Sequence, residues 1–233
     1  GLSLGLLGGG GSILTVPILV YALSIDPKVA VAMSLAIVGM TTLFGVFGHY
    51  KNKNIDFRIA LIFGGAALPA TFLGSYLSQF ISGSIQLIIF ATVMILAATF
   101  MFRDRLEAEE KQFNLFLTLI SGLVVGVMTG LIGVGGGFLI VPALMYFTGT
   151  NMKKSVGTSL FIISFNSFFG FMSYIDKVEI DWIFLAKFTS CSVIGILIGS
   201  KLVQYVPQKI LKKAFAVFLI VMGIFILVKN LSL

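Results

Sequence analysis

Long apolar stretches separated by short polar connections dominate the chain. A helix needs about 20 predominantly apolar residues to cross a hydrocarbon core of about 30 Å. The pattern therefore predicts six membrane-spanning helices, at 29–48, 59–81, 85–102, 156–175, 182–206 and 214–228. Because no run alternates apolar and polar residues as the strands of a membrane barrel do, we expect an all-α integral membrane fold.

Two further apolar stretches, 2–23 and 113–148, are interrupted by clusters of glycine. Glycine in the middle of an apolar helix favours a break, because it leaves the backbone unshielded and conformationally free. About 18 residues precede the second cluster and roughly 12 follow it, enough for one span and a shorter partner helix. We expect each stretch to form a helical hairpin that is broken at its glycines.

The chain also repeats itself after a shift of 125 positions. The shift superimposes the two glycine clusters together with the prolines that follow them, Pro17 and Pro142. We therefore assign a first transmembrane repeat to 1–102, a cytoplasmic linker to 103–112 and a second transmembrane repeat to 113–233. The counterpart of the stretch before Gly130 would begin about a dozen residues before Gly1, so we expect the N-terminal helix of the first repeat to precede this sequence.

Composition supports a membrane protein and excludes an ordinary soluble domain. Hydrophobic residues make up 58% and charged residues 11%, against roughly 45–50% and about 25% in soluble domains. The net charge of +7 is carried by Lys and Arg in short loops, so it reports topology and predicts no nucleic-acid partner. Cys191, the single cysteine, has no disulfide or metal partner of its own type, and we expect no cofactor.

Loop charge predicts that the two repeats are inverted. Basic residues place loops 51–58 and 103–111 in the cytoplasm, and the neutral turn 82–84 then lies outside. In the second half the acidic loop 176–181 is predicted outside, and the turn containing Lys209, Lys212 and Lys213 inside. Equivalent loops thus face opposite sides, which predicts two inverted repeats, each a glycine-broken hairpin plus three transmembrane helices. The alternative is four continuous helices per repeat in parallel orientation, which would put 176–181 inside.

The glycine clusters are the first candidate substrate site. Successive backbone N–H groups and the positive end of the helix that resumes after each cluster attract an oxyanion. The structural alternative is that the glycines only allow close helix packing. The candidate binding residues here are Gly9, Gly10, Gly11, Ser12, Gly135, Gly136 and Gly137.

A polar stripe on the first full helix of each repeat is the second candidate. Residues seven positions apart lie on one helix face, and their hydroxyl and amide groups can bind an anion without burying a charge. The structural alternative is hydrogen bonding between helices. The polar stripe residues are Ser34, Thr41, Ser159 and Asn166, and Thr158 lies next to the stripe. The equivalent pair Gln79 and Gln204 could cap a broken end or line the pathway.

Two ionisable residues are candidates for coupling or for pairing with an anion. His49, the only histidine, could carry a proton. Beside Tyr50 and Lys51, however, it is better interpreted as an anchor at the membrane interface. Lys201 could pair with an anionic substrate, although a lysine near a helix end usually extends to the interface.

The glycine cluster that leads into Ile140-Val141-Pro142, followed by Ser155-Val156-Gly157-Thr158-Ser159-Leu160, resembles the TauE/SafE family of sulfite exporters, also called the 4-toluene sulfonate uptake permeases (TSUP). The likeness covers nearly the whole chain. The first copy departs from the pattern, because Ala32-Met33-Ser34 replaces Gly-Thr-Ser, and this puts two symmetric sites in doubt.

The resemblance implies a multi-pass permease of the bacterial inner membrane. Its expected substrates are small organic or sulfur-containing anions such as sulfite, sulfonates or sulfoacetate. Coupling to a proton or sodium gradient and a homodimeric state are further expectations.

Two other classes stay open at this stage. An anion channel would have the same amide-lined site but would need a continuous pore. A membrane-embedded enzyme would need a nucleophile, a base or a metal cluster. The chain contains one His, one Cys and no buried carboxylate pair, which argues against an enzyme.

Overall fold

A computed structural model describes residues 1–78, 80–102, 114–132, 137–172, 175 and 178–231, and the elements in this part of the chain are all helices. The first half contains α1 Leu2–Leu7, α2 Gly10–Pro17, α3 Pro27–Lys51, α4 Phe57–Ser78 and α5 Gly83–Phe102. The second half contains α6 Leu115–Ile132, α7 Gly137–Ala143, α8 Met152–Met172, α9 Trp182–Leu202 and α10 Gln208–Leu231. The all-α prediction is confirmed.

Among the described helices, α3, α4, α5, α8, α9 and α10 are long and apolar enough to cross a membrane, which confirms the six predicted spans. One boundary differs from the prediction. Helix α10 begins at Gln208, so Lys209, Lys212 and Lys213 lie in its first turns rather than in the preceding turn. The long aliphatic part of a lysine side chain can pack against apolar neighbours near a helix end, and Lys212 is buried there.

The first glycine cluster separates two helices, as predicted. Helix α1 ends at Leu7, and Gly8 follows with φ of 73°, a left-handed conformation that favours glycine. Helix α6 ends at Ile132 and α7 begins at Gly137. A continuous helix is therefore wrong for the first cluster, whereas residues 133–136 of the second cluster lie outside the described residues.

A feature that we did not predict follows each broken helix. Pro17 and Pro142 lie inside α2 and α7, and the chain continues from there as π-helix over Ile18–Ala22 and Leu144–Thr148. Because proline has no N–H to donate, it disturbs the regular ladder, and a wider turn accommodates the change.

The 125-residue repeat is visible in both the helix starts and the contacts. Helices α3, α4 and α5 begin 125 positions before α8, α9 and α10 respectively. A Cβ built on Gly74 of α4 would overlap the carbonyl of Val127 in α6. The equivalent Gly199 of α9 lies against the carbonyl of Leu2 in α1. Each of these contacts joins one half of the chain to the other, so the halves interlock.

The equivalent helices α3 and α8 pack side by side in opposite directions. Residues that come later in α3 contact residues that come earlier in α8. The contacts that define this packing are Leu35 with Gly170, Gly39 with Ser167, Gly45 with Leu160, and His49 with Gly157.

Candidate functional site

The short helices α2 and α7 meet at their beginnings. We call Gly8, Gly9 and the start of α2 the first tip, and the start of α7 at Gly137 the second tip. A Cβ built on Gly9 would overlap the carbonyl oxygen of Gly137, and one built on Gly137 would lie 3.2 Å from the Cα of Gly9. Both residues are buried. Glycine is therefore needed here for close packing, the alternative that the sequence left open, and that packing brings the two tips together.

Helix α8 runs along both tips with its polar face. The Ser159 hydroxyl donates to the carbonyl of Val156 at 2.8 Å and reaches the carbonyl of Gly8 at 3.4 Å. One turn further, the side chain of Ile163 lies 2.6 Å from a Cβ built on Gly137. Asn166 follows after one more turn on the same face. The predicted stripe of α8 thus faces the tips. Gly8 was missing from the predicted site, although its place just after a helix end is a recognisable glycine signal.

Buried polar atoms without partners mark the crossing of α3 and α8. Among the described residues, the Thr41 Oγ1, Asn166 Oδ1 and Ser167 Oγ atoms are buried and have no hydrogen-bond partner. The neighbouring Thr42 instead donates to the carbonyl of Val38 at 2.7 Å. An unpaired buried polar group costs about 1–3 kcal/mol. These atoms therefore favour a polar ligand or water next to them.

Thr41 and Asn166 occupy equivalent positions in the two repeats. Thr41 lies between Gly39 and Gly45 in α3, and Asn166 directly precedes Ser167 in α8, so the contacts of Gly39 with Ser167 and of Gly45 with Leu160 place Thr41 and Asn166 at nearly the same level. Ser34, seven residues before Thr41, is also buried. Polar atoms of the stripe are thus buried in both repeats, and the role of the stripe residues in binding stays a prediction.

The beginning of α2 offers further donors. Its N-cap is Gly9, and no side chain in the described part of the chain caps this end. Gly10 and Gly11 and the backbone of Ser12 form the first turn of the helix. The first N–H groups of a helix have no acceptor within the helix, so an anion can accept from them.

Other predicted site residues lie elsewhere or have structural partners. The Thr158 hydroxyl accepts a hydrogen bond from the backbone N–H of Asp56 at 3.0 Å, which ties α8 to the start of α4. Lys201 is exposed, and so is Gln204, whose carbonyl accepts from the Lys153 ammonium at 2.8 Å. Neither is buried with the polar stripe. Gly135, Gly136 and Gln79 lie outside the described residues, as does the predicted linker.

The structure corrects the interpretation of His49 as an interface anchor. Its side chain is fully buried, and its Nε2 atom lies 3.4 Å from the carbonyl oxygen of Gly5 in α1. The sequence suggested an interface because Tyr50 and Lys51 follow directly. Gly157 of α8 lies against the Cβ of His49, and Gly5 of α1, which packs closely against α9 at Ile196 and Gly199, brings its carbonyl to the imidazole.

Apart from this polar region, a cavity of about 760 Å³ lies between α3, α8 and α9. Its lining is mostly apolar and includes Met40, Phe168 and Trp182, with Ser164 and Thr189 among the polar residues. An apolar groove does not offer the donors that a small anion needs. Sequence reasoning missed this cavity because it forms between helices that are distant along the chain.

Six apolar spans and two broken helices that meet at a buried polar face define a multi-pass membrane protein with a polar centre. The family model for the sulfite exporter TauE/SafE matches residues 1–226, and the chain belongs to that family.

Curated relatives point to the same class. The chain is similar to the probable membrane transporter protein YdhB of Bacillus subtilis, with 27% identity over 97% of this chain and 96% of the relative. It is also similar to a probable membrane transporter protein of Xylella fastidiosa, with 29% identity over 97% and 90%. No solved structure matches the chain. The protein is thus a membrane transporter and not an enzyme.

Proposed function

We propose that the protein is a secondary transporter of the bacterial inner membrane that carries small sulfur-containing or organic anions, such as sulfite, sulfonates or sulfoacetate. The family to which the chain belongs supports the sulfur anion, since its model is described as a sulfite exporter. One structural observation carries the proposal. The beginnings of α2 and α7 meet against Ile163 of α8, one turn before Asn166, and the buried Asn166 Oδ1 and Thr41 Oγ1 atoms have no hydrogen-bond partner among the described residues.

The anion would be held by uncharged donors. The N–H groups at the start of α2 and the hydroxyl of Thr41 can donate to its oxygens, and so can the amide of Asn166 after rotation about its last bond. Uncharged donors suit a carrier, because a buried cation would cost several kcal/mol whenever the anion left. A site of this kind can bind the anion and still release it.

We further infer that the halves are inverted repeats. The antiparallel packing of the equivalent helices α3 and α8 supports this arrangement, as do the exchanged contacts of α4 with α6 and α9 with α1. In inverted repeats the site lies near the bilayer midplane, and movement of one half against the other opens it to alternate sides. The meeting point of the tips lies between the halves, where such movement would change access.

A thermal-shift screen of the solubilised protein tests the substrate class. Sulfite, thiosulfate, sulfoacetate, acetate and glyoxylate are added in turn, and a ligand that binds only the folded state raises the melting temperature. Saturation at about 100 times Kd contributes roughly 2.7 kcal/mol. We expect at least one sulfur anion to raise the melting temperature, and Ser159→Ala to reduce that rise.

Ser164→Ala is the matched control. Both serines donate to a carbonyl three residues earlier in α8, but only Ser159 also contacts Gly8. We expect Ser164→Ala to keep the full ligand-induced rise. If none of these anions stabilises the protein, or if both variants respond like the wild type, the proposed site is wrong.

A further inference from the structure

The buried imidazole of His49 lies where three elements meet. Its Nε2 atom faces the carbonyl of Gly5 in α1, and its Cβ lies 3.1 Å from a Cβ built on Gly157 in α8. Its Nδ1 atom is buried without a hydrogen-bond partner among the described residues. The residue just before it, Gly48, packs against the Ser200 hydroxyl of α9. His49 therefore contacts helices from both halves of the chain.

Helix α1 connects this imidazole directly to the first tip. Gly5 lies three residues before Gly8, and the N–H of Gly8 donates to the carbonyl of Leu4, which ends α1. Gly8 in turn receives the Ser159 contact, and Gly9 touches Gly137. A displacement of α1 at Gly5 would therefore move the first tip.

We infer that His49 is a proton-binding site that couples a proton to the position of α1 and of the first tip, an inference that rests on the proposed transport function. Neutral imidazole with its proton on Nε2 donates to the Gly5 carbonyl and leaves an Nδ1 lone pair. A proton from water binds that lone pair and creates an N–H donor and a positive charge. In this arrangement the new donor has no acceptor, so the protonated state favours a different position of α1. When the imidazole returns to neutral, the proton is released to water.

The charged groups on the surrounding helices either form a hydrogen bond to another residue or are exposed. Helix α1 has no titratable side chain between Leu2 and Leu7. On α8, the Lys153 ammonium donates to the carbonyl of Gln204, and Lys154 is exposed. On α9, Lys187 and Lys201 are exposed.

The residues that follow His49 along the chain also point elsewhere. Tyr50, Lys51 and Lys53 are exposed, and an oxygen of the Asp56 carboxylate accepts from the N–H of Ile59. None of these described groups is hydrogen-bonded to the imidazole.

Only the first repeat carries a histidine at this position. The equivalent position in the second repeat is Tyr174, which lies outside the described residues. A phenol titrates near pH 10, far from the range in which imidazole changes charge. The proton would thus act on the first tip alone.

Uptake into proteoliposomes tests the inference. Labelled sulfite and labelled sulfoacetate are offered at about pH 6 outside and about pH 7 inside, with the membrane potential held at zero. Carriage of one proton with each anion predicts accumulation up to about tenfold per pH unit. We expect His49→Gln to lose this accumulation but to keep exchange of internal for external anion, because glutamine can still donate to the Gly5 carbonyl. Lys187→Gln, which alters an exposed cation on α9 that is not a candidate site residue, should accumulate as the wild type does.

The outcomes separate this inference from the proposed function. If the wild type exchanges neither anion, the proposed function fails. If the wild type exchanges an anion but does not accumulate it, or if His49→Gln accumulates it as strongly as the wild type, the role of His49 is wrong.

Histidine-selective NMR provides a readout that needs no variant, since the chain has a single histidine. We expect the imidazole signal of the wild type to move when the exchanged anion is added near pH 6. An identical signal with and without the anion between about pH 5 and pH 8 would overturn the inference.

Discussion

At the residue scale, glycine performs two different tasks in this chain. Gly8 adopts a left-handed backbone that ends α1, whereas Gly9 and Gly137 allow two backbones to touch. The sequence showed the clusters but could not assign a task to each glycine. That distinction depends on which backbone lies opposite, and the opposite residue is more than a hundred positions away.

Replacing Gly8 with alanine should destabilise the first tip. A left-handed conformation costs an L-residue about 1–2 kcal/mol. The new Cβ would also lie 2.9 Å from the Cα of Val156 and 2.8 Å from the Ser159 hydroxyl. We expect Gly8→Ala to lower the melting temperature by several degrees, at roughly 2–4 °C per kcal/mol.

Gly65→Ala is the matched control for this measurement. A Cβ built on Gly65, in the middle of α4, has nothing within 4 Å. The melting temperature of Gly65→Ala should be unchanged or higher, because alanine favours a helix over glycine. Equal losses in the two variants would show that the left-handed position of Gly8 does not matter.

At the scale of elements, the pairing of α3 with α8 organises the polar centre. The apolar pattern placed both helices correctly to within a few residues, since hydrophobic length alone decides where a span lies. Their antiparallel contact was expected only indirectly, through loop charge. The burial of His49 was not predicted, because it depends on contact with α1, a six-residue helix that has no periodic signal of its own.

Cross-linking tests the register of α3 and α8. A Cβ built on Gly39 lies 3.3 Å from the Cβ of Ser167, close to the 3.5–4.5 Å range of disulfides. The pair Gly39→Cys and Ser167→Cys, in a Cys191→Ser background, should therefore form an intramolecular disulfide under mild oxidation. The chain's own cysteine is exposed and must be removed first.

The control pair is Gly65→Cys with Ser167→Cys, since Gly65 faces open space. It should remain reduced under the same conditions, as judged by alkylation and mass spectrometry. Oxidation of the control pair, or no oxidation of the Gly39 pair, would be inconsistent with the described packing.

At the scale of the whole molecule, the duplicated sequence becomes a duplicated set of contacts between the halves. The fold class, the spans and the break at Gly8 could be predicted from the sequence, because they follow from hydrophobic length and from glycine. The meeting of the tips and the unpartnered Thr41 and Asn166 could not. They arise only when the halves interlock. The location of the proposed anion site is inferred from these three-dimensional features, and the expected chemistry of its ligand is inferred from the family.

The central claim is that the anion binds where the tips meet α3 and α8. It is best tested with the double variant Thr41→Val with Asn166→Leu in proteoliposomes, by measuring the exchange of labelled sulfite and sulfoacetate. Apolar residues of similar shape remove unpaired polar atoms, so a merely structural role predicts equal or greater stability and unchanged exchange. Thr42→Val is the control, because the Thr42 hydroxyl already bonds to its own helix. We predict a melting temperature at or above that of the wild type and, at an anion concentration well below saturation, exchange slowed at least about tenfold, as expected if anion binding weakens by about 1.4 kcal/mol or more. Exchange at the wild-type rate in the double variant would contradict the account.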